Sequence, residues 1–129
     1  MSTNVLDVKG LNMNYETIDG LVSAVQDVSF TIKKGESFGL VGESGCGKTS
    51  VAMSLLKLQA DNGFIDSGEI LIDGKDVVPL NEKELREVRW KDISIVFQGA
   101  MNAWNPVIKV GEQIREALRE HYPENSKEE

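Results

Sequence analysis

Val28, Phe30 and Ile32 alternate with Ser29 and Thr31, the two-residue period of a strand that buries one face. Val22 to Ile32 is expected as that strand and Val5 to Leu11 as its neighbour, with Asp19-Gly20 as turn chemistry between them. Ile70 and Ile72 alternate across a further short strand that stops at Asp73-Gly74. Two mainly apolar runs, Ser37 to Val41 and Ile93 to Phe97, read as short buried strands. Helical spacing appears three times. Lys48 to Ala60 carries Val51, Ala52, Leu55 and Leu56 on one face, and Asp61-Asn62-Gly63 ends it. Asn81 to Trp90 is a shorter helix, with Asn81 and Glu84 spaced as a capping box and Leu80 and Leu85 at the staple positions. Ile114, Leu118 and Tyr122 mark one face of a last helix, which Pro123 ends. His121 is expected at its end, exposed to solvent. The fold class is α/β: a β-rich N-terminal layer followed by mixed strands and helices.

Composition narrows the partners more than the fold. With 40% hydrophobic and 27% charged residues, the chain reads as an ordinary globular protein. Its 129 residues are the length of one domain, expected over 1–123 with a polar, frayed tail at 124–129. A net charge of −7 argues against nucleic acid as a partner, because no sequence-wide basic surface exists. No apolar run approaches roughly 18 residues, so no membrane-spanning helix is expected. The first residues carry no signal-peptide core. Cys46 is the single cysteine; it excludes an intramolecular disulfide and fits a reducing cytoplasm.

The chemistry concentrates in Gly42-Glu43-Ser44-Gly45-Cys46-Gly47-Lys48-Thr49. This segment fits the phosphate-binding loop G-x-x-x-x-G-K-[ST], with an expected strand before it and an expected helix after it. Glycines let successive backbone N–H groups turn inward toward phosphate oxygens, with the positive end of the helix dipole behind them. Lys48 is expected at the β- and γ-phosphates, and the Thr49 hydroxyl at Mg²⁺. Cys46 reads first as a small residue packed within the loop. A thiol at a helix N-terminus beside a lysine is also expected to react readily.

Beyond the loop, three stretches carry a resemblance: Ser67-Gly-Glu-Ile-Leu-Ile-Asp-Gly74, Val96-Phe-Gln-Gly-Ala-Met-Asn-Ala-Trp-Asn-Pro106 and Val110-Gly-Glu-Gln-Ile114. With the P-loop, and in this order from about Val5 to Ile114, the chain resembles the start of an ATP-binding cassette (ABC) ATPase. The nearest likeness is to the ATP-binding subunits of oligopeptide and dipeptide importers. The resemblance implies a P-loop NTPase fold of ABC type, N-terminal part: an antiparallel β layer, the P-loop strand and helix, and an incomplete core sheet. It implies Mg-ATP as the ligand of residues 42–50, with Ser50 at the α-phosphate. Tyr15 falls where the family stacks an aromatic on adenine, and Val25 where the same pocket is lined. Each has a plain structural reading beside that one, as a packed strand tyrosine and a core valine. Gln98 resembles the residue that approaches Mg²⁺ and the attacking water, a role its carbonyl oxygen suits. Lys48 and Gln98 would thus serve catalysis, and Thr49 and Gln98 the metal. The loop 99–106, with apolar Met101 and Trp104, resembles the surface that meets transmembrane permease subunits; the alternative is a loop that folds those side chains inward. A second ATP-binding subunit and a cytoplasmic place on the inner face of the cell membrane are implied as well.

The family's chemistry also uses a Leu-Ser-Gly-Gly-Gln signature, an apolar strand ending in Asp-Glu and a switch histidine. None of these patterns occurs in the 129 residues. In the family arrangement two later strands lie between the P-loop strand and the one ending at Gln98. Without them those two would stand about 14 Å apart, and the apolar faces of Phe38, Leu40, Ile93 and Ile95 would lack their usual partners. The chain is therefore expected to be the N-terminal portion of a longer protein. A non-transport ABC-type module, in which nucleotide acts as a conformational switch, stays open as the alternative function.

Overall fold

The computed structural model describes residues 3–124. The chain forms two compact units, Met1–Asp92 and Ile93–Glu129, where one domain over 1–123 was expected. Most of the expected tail lies outside the described residues.

The first unit is built on an antiparallel sheet. Strands β1 (Asn4–Thr17) and β2 (Gly20–Lys33) form a long hairpin that turns at Ile18-Asp19. Strand β3 (Gly63–Ile72) pairs with the other edge of β1, and β4 (Lys75–Asp76) with β3, giving the order β2-β1-β3-β4. Helix α1 (Lys48–Leu55) follows the P-loop and α2 (Glu82–Val88) follows β4. The strands run longer than their periodic cores predicted, because hairpin pairing carries the ladder into polar residues. Helix α1 stops short of the expected Ala60: Lys57 takes a left-handed φ of 49°, and the chain turns toward β3.

Alternation along β1 breaks once, and the break decides what faces the core. Leu6 and Val8 are buried, and then Leu11 and Met13, so parity shifts by one between Val8 and Leu11. Gly10, at φ 54°, absorbs the extra residue as a bulge. The neighbours break at the same level: Asp27 of β2 has φ 46° and Gly68 of β3 has φ 104°. Asn12 ties the three strands together. Its Oδ1 accepts from Asp27 N–H at 3.0 Å, and its Nδ2 donates to Gly10 O at 2.9 Å and Ser67 Oγ at 3.1 Å.

Below the break the core gathers Leu6, Val8, Ile70, Ile72 and Val77; above it lie Leu11, Met13 and Val25. Val51 and Leu56 come from the α1 region, and Leu85 and Val88 from α2. The end of α1 is tied to α2 through its carbonyls. Arg89 donates Nε to Leu56 O at 2.9 Å and Nη2 to Lys57 O at 3.0 Å, while its Nη1 meets Glu82 at 2.6 Å. The capping box predicted for α2 is present in both directions: Glu84 N–H donates to Asn81 Oδ1 at 3.0 Å, and Asn81 N–H to Glu84 Oε2 at 2.9 Å. Asn81→Ala should therefore lower stability by about 1 kcal/mol, read as a shift in the denaturant midpoint at constant m; an unchanged midpoint would show that the box adds nothing.

Two expected strands do not form among the described residues. Ser37 to Val41 is exposed throughout and has no ladder partner; it is held to β2 by Phe38 stacking on Phe30, with centroids 4.9 Å apart. In the second unit, Ile93 to Phe97 shows only a bridge at Ile93. An extended run becomes a strand only where a neighbour supplies a ladder of hydrogen bonds, and neither segment has one. The second unit also holds a short 3₁₀ turn at Ala100–Asn102 and helix α3 (Val110–His121). Ile114, Leu118 and Tyr122 are more than a third exposed there. His121 is the last residue of α3 and is half-buried, with an interaction of its own, so it is less open than expected.

Candidate functional site

Helix α1 begins without the usual devices that quiet a helix N-terminus. Its N-cap is Gly47, no side chain caps it, and no acidic residue stands in its first turn. The first N–H groups of a helix have no partner within it, and the dipole adds partial positive charge at the same place. The loop in front is shaped by two left-handed glycines, Gly45 at φ 81° and Gly47 at φ 97°. Gly47 is also required by space: a Cβ there would lie 2.4 Å from Ala24 O on β2. The loop is thus seated directly on the hairpin backbone.

Lys48 folds back over this loop. Its Nζ donates to Gly42 O at 2.6 Å and Glu43 O at 2.5 Å, and lies 3.5 Å from Cys46 Sγ. The ammonium therefore links residues 42–46, bonded to two of the loop's carbonyls and close to its thiol. The Cys46 thiol is exposed and fills the space beside Gly42, where a Cβ would come within 2.6 Å of Sγ. Glu43, Ser44 and Thr49 are exposed. What the arrangement can do is hold an anion: an uncapped helix start with its dipole and an ammonium in the loop before it, with no carboxylate in the helix's first turn to neutralise them.

Tyr15 reaches the same place from β1. Its hydroxyl lies 3.3 Å from Ser50 Oγ, and its ring passes over Gly63, where a Cβ would sit 2.9 Å from the ring. Val25 is only 3% exposed, so it belongs to the core and offers a ligand almost no surface. Gln98 is exposed and belongs to the second unit. The structure thus brings Tyr15 and residues 42–50 together in one unit. Sequence reading missed Ala24 and Gly63. Gly63 was legible only as a helix terminator, since the pairing of Gly63 with Tyr15 is set by tertiary register.

Loop, helix and hairpin define a P-loop nucleotide-binding fold. The ABC transporter family matches residues 25–128, and the chain belongs to that family. It is 45% identical over 120 residues to the oligopeptide transport ATP-binding protein OppD of Bacillus subtilis, covering 92% of this chain and 34% of that protein. It is 44% identical over 118 residues to the dipeptide transport ATP-binding protein DppD of the same organism, covering 91% and 35%. It therefore spans about a third of the length of these curated relatives. Among solved structures, a bacterial ABC transporter cassette in dimeric form superposes with a TM-score of 0.61 at 20% identity, over 88% of this chain and 54% of the other. That likeness carries the fold. No helix among the described residues is long and apolar enough to cross a membrane.

Proposed function

We propose that residues 42–50 bind Mg-ATP and that the chain is the nucleotide-binding portion of an importer ATPase whose cargo is peptide. The observation that carries the reading is a lysine ammonium held within the glycine loop that leads into the uncapped start of α1. Lys48 takes the β- and γ-phosphates, Thr49 holds Mg²⁺, Ser50 meets the α-phosphate and Tyr15 offers its ring to adenine. Gln98 is proposed for the metal and the attacking water on the chemistry of its carbonyl oxygen. Similarity to the oligopeptide and dipeptide transport proteins supports peptide as cargo. Met101, 92% exposed, and Trp104, 47% exposed, support the loop 99–106 as the surface for permease subunits on the cytoplasmic face of the membrane. A second ATP-binding subunit completes the assembly.

Two measurements test this. At 100 times Kd, Mg-ATP should add about 2.7 kcal/mol of stability, a rise of several degrees in melting temperature; no rise at saturating nucleotide would end the reading. The 129 residues should hold Mg-ATP without steady turnover. In-line attack on the γ-phosphate needs a positioned water with a carboxylate near it, and neither an Asp-Glu pair nor a Leu-Ser-Gly-Gly-Gln signature occurs in the sequence. Each missing group is worth powers of ten, at about 1.4 kcal/mol per power. Phosphate release by the purified chain should match that of Lys48→Ala. Turnover that depends on Lys48 would show that other residues supply the chemistry.

A further inference from the structure

We propose that Tyr15 acts on phosphate as well as on base: it is a positioning residue whose hydroxyl orients Ser50 toward the nucleotide's phosphates. The inference rests on the Mg-ATP reading of residues 42–50 and adds a role that stacking does not include. The Tyr15 hydroxyl lies 3.3 Å from Ser50 Oγ, across 35 residues of sequence. An aromatic used only as a stacking face has no need of that contact.

The backbone around Tyr15 is fixed on both sides. It sits in the central strand, opposite Val22 on β2 and Gly63 on β3. Next to it Glu16 N–H donates to Asn62 O at 2.8 Å, and Asn62 Nδ2 returns a bond to Glu16 O at 2.9 Å. Gly63 leaves the room through which the ring reaches α1: a Cβ there would meet Met13 Cε at 2.8 Å and the Tyr15 ring at 2.9 Å. Ser50 is fixed from its own side, because it lies in the first turn of α1 and its carbonyl accepts from Ser54 Oγ at 2.7 Å. Two rigid elements therefore meet through one hydroxyl pair.

Either hydroxyl of the pair can donate, and one of the two directions favours an anion. A hydroxyl has one hydrogen and two lone pairs. When the phenol donates to Ser50 Oγ, Ser50 keeps its own hydrogen for an outside acceptor. A phosphate oxygen then receives a hydrogen bond from a serine already polarised by the tyrosine behind it. The hydrogen-bonded path runs from the base side of the site to the phosphate side, so the ring position and the serine rotamer are set together.

The test uses magnesium tripolyphosphate, which has no base and so takes stacking out of the measurement, alongside Mg-ATP. Affinities are measured calorimetrically for the full chain, Tyr15→Phe, Ser50→Ala and the double variant. Tyr15→Phe keeps the ring and removes only the hydroxyl. It is expected to weaken tripolyphosphate about three- to tenfold, the range of one hydrogen bond, and Ser50→Ala about as much. The double variant is expected to be no weaker than Ser50→Ala alone, because the two act as one unit. Tyr15→Trp, with a larger face and no hydroxyl, is expected to show the same loss on tripolyphosphate. Unchanged tripolyphosphate affinity in Tyr15→Phe, or losses that multiply in the double variant, would overturn the proposal. Lys48→Ala separates the two levels. If it binds tripolyphosphate as the parent does, the P-loop reading fails and the tether with it. If it loses binding while Tyr15→Phe does not, only the tether falls.

Discussion

Lys48→Ala is expected to weaken Mg-ATP binding by about a hundredfold or more while leaving the fold nearly as stable as before. In the proposed site the ammonium would make charge-assisted hydrogen bonds to phosphate, each worth about 1.5–3 kcal/mol, and roughly 1.4 kcal/mol is a tenfold change in Kd. The gross gain is larger than the net. Nζ is bonded to Gly42 O and Glu43 O, and phosphate must draw it away from them. For the fold the balance is different. Both carbonyls lie at exposed positions, so water replaces the lysine when it is removed. Calorimetric titration with a parallel melt separates the two effects. An unchanged Kd would remove Lys48 from the site, and a collapsed melting temperature would make it a structural residue of the loop.

Gly68→Ala should be the most damaging small substitution in the sheet. A Cβ at Gly68 would lie 2.6 Å from Gly10 O, 2.7 Å from Leu11 Cα and 2.8 Å from Gly10 C. All three are backbone atoms of the central strand, so no rotamer change relieves the clash. Its φ of 104° adds strain for any residue with a side chain. Overpacking and strain each contribute about 1–3 kcal/mol, and together they should lower the melting temperature by about 10 °C or more. Gly74→Ala is the matched control. Gly74 also has a positive φ, 83°, but nothing stands within 4 Å of its Cβ position, so strain alone acts there. A Gly68→Ala melt no lower than that of Gly74→Ala would show that β1 and β3 can part at this level without loss.

The P-loop was legible in the sequence because its chemistry is local: glycines, a lysine and a hydroxyl at fixed offsets define it without tertiary help. The capping box of α2 was legible for the same reason, since Asn81 and Glu84 lie within one turn. Ser37 to Val41 and Ile93 to Phe97 misled because an apolar run states a preference for burial, not the presence of a partner. Tyr15 shows the harder limit. Strict alternation from Leu6 and Val8 would put Gly10, Asn12 and Asn14 on the buried face and turn Tyr15 away from α1. The half-period slip at Gly10 puts Leu11, Met13 and Tyr15 there instead. That slip depends on Asp27 and Gly68 breaking at the same level, and neither neighbour is visible from β1 alone. The family resemblance supplied a place for Tyr15 that periodicity did not.

The aligned breaks at Gly10, Asp27 and Gly68 also govern how this sheet can change in length. β1 and β3 each carry one surplus residue near this level, β2 carries one here and another between Val25 and Ser23, and Asn12 fastens all three strands. Deleting the surplus from one strand alone would leave it in phase with itself but out of step with both neighbours. The mismatch would propagate to Thr17 and Gly20 at one end or to Asn4 and Lys33 at the other. Between β1 and β3, whose register is the same on both sides of the break, insertions and deletions should therefore be tolerated only as matched sets, while β2 already absorbs an extra residue of its own.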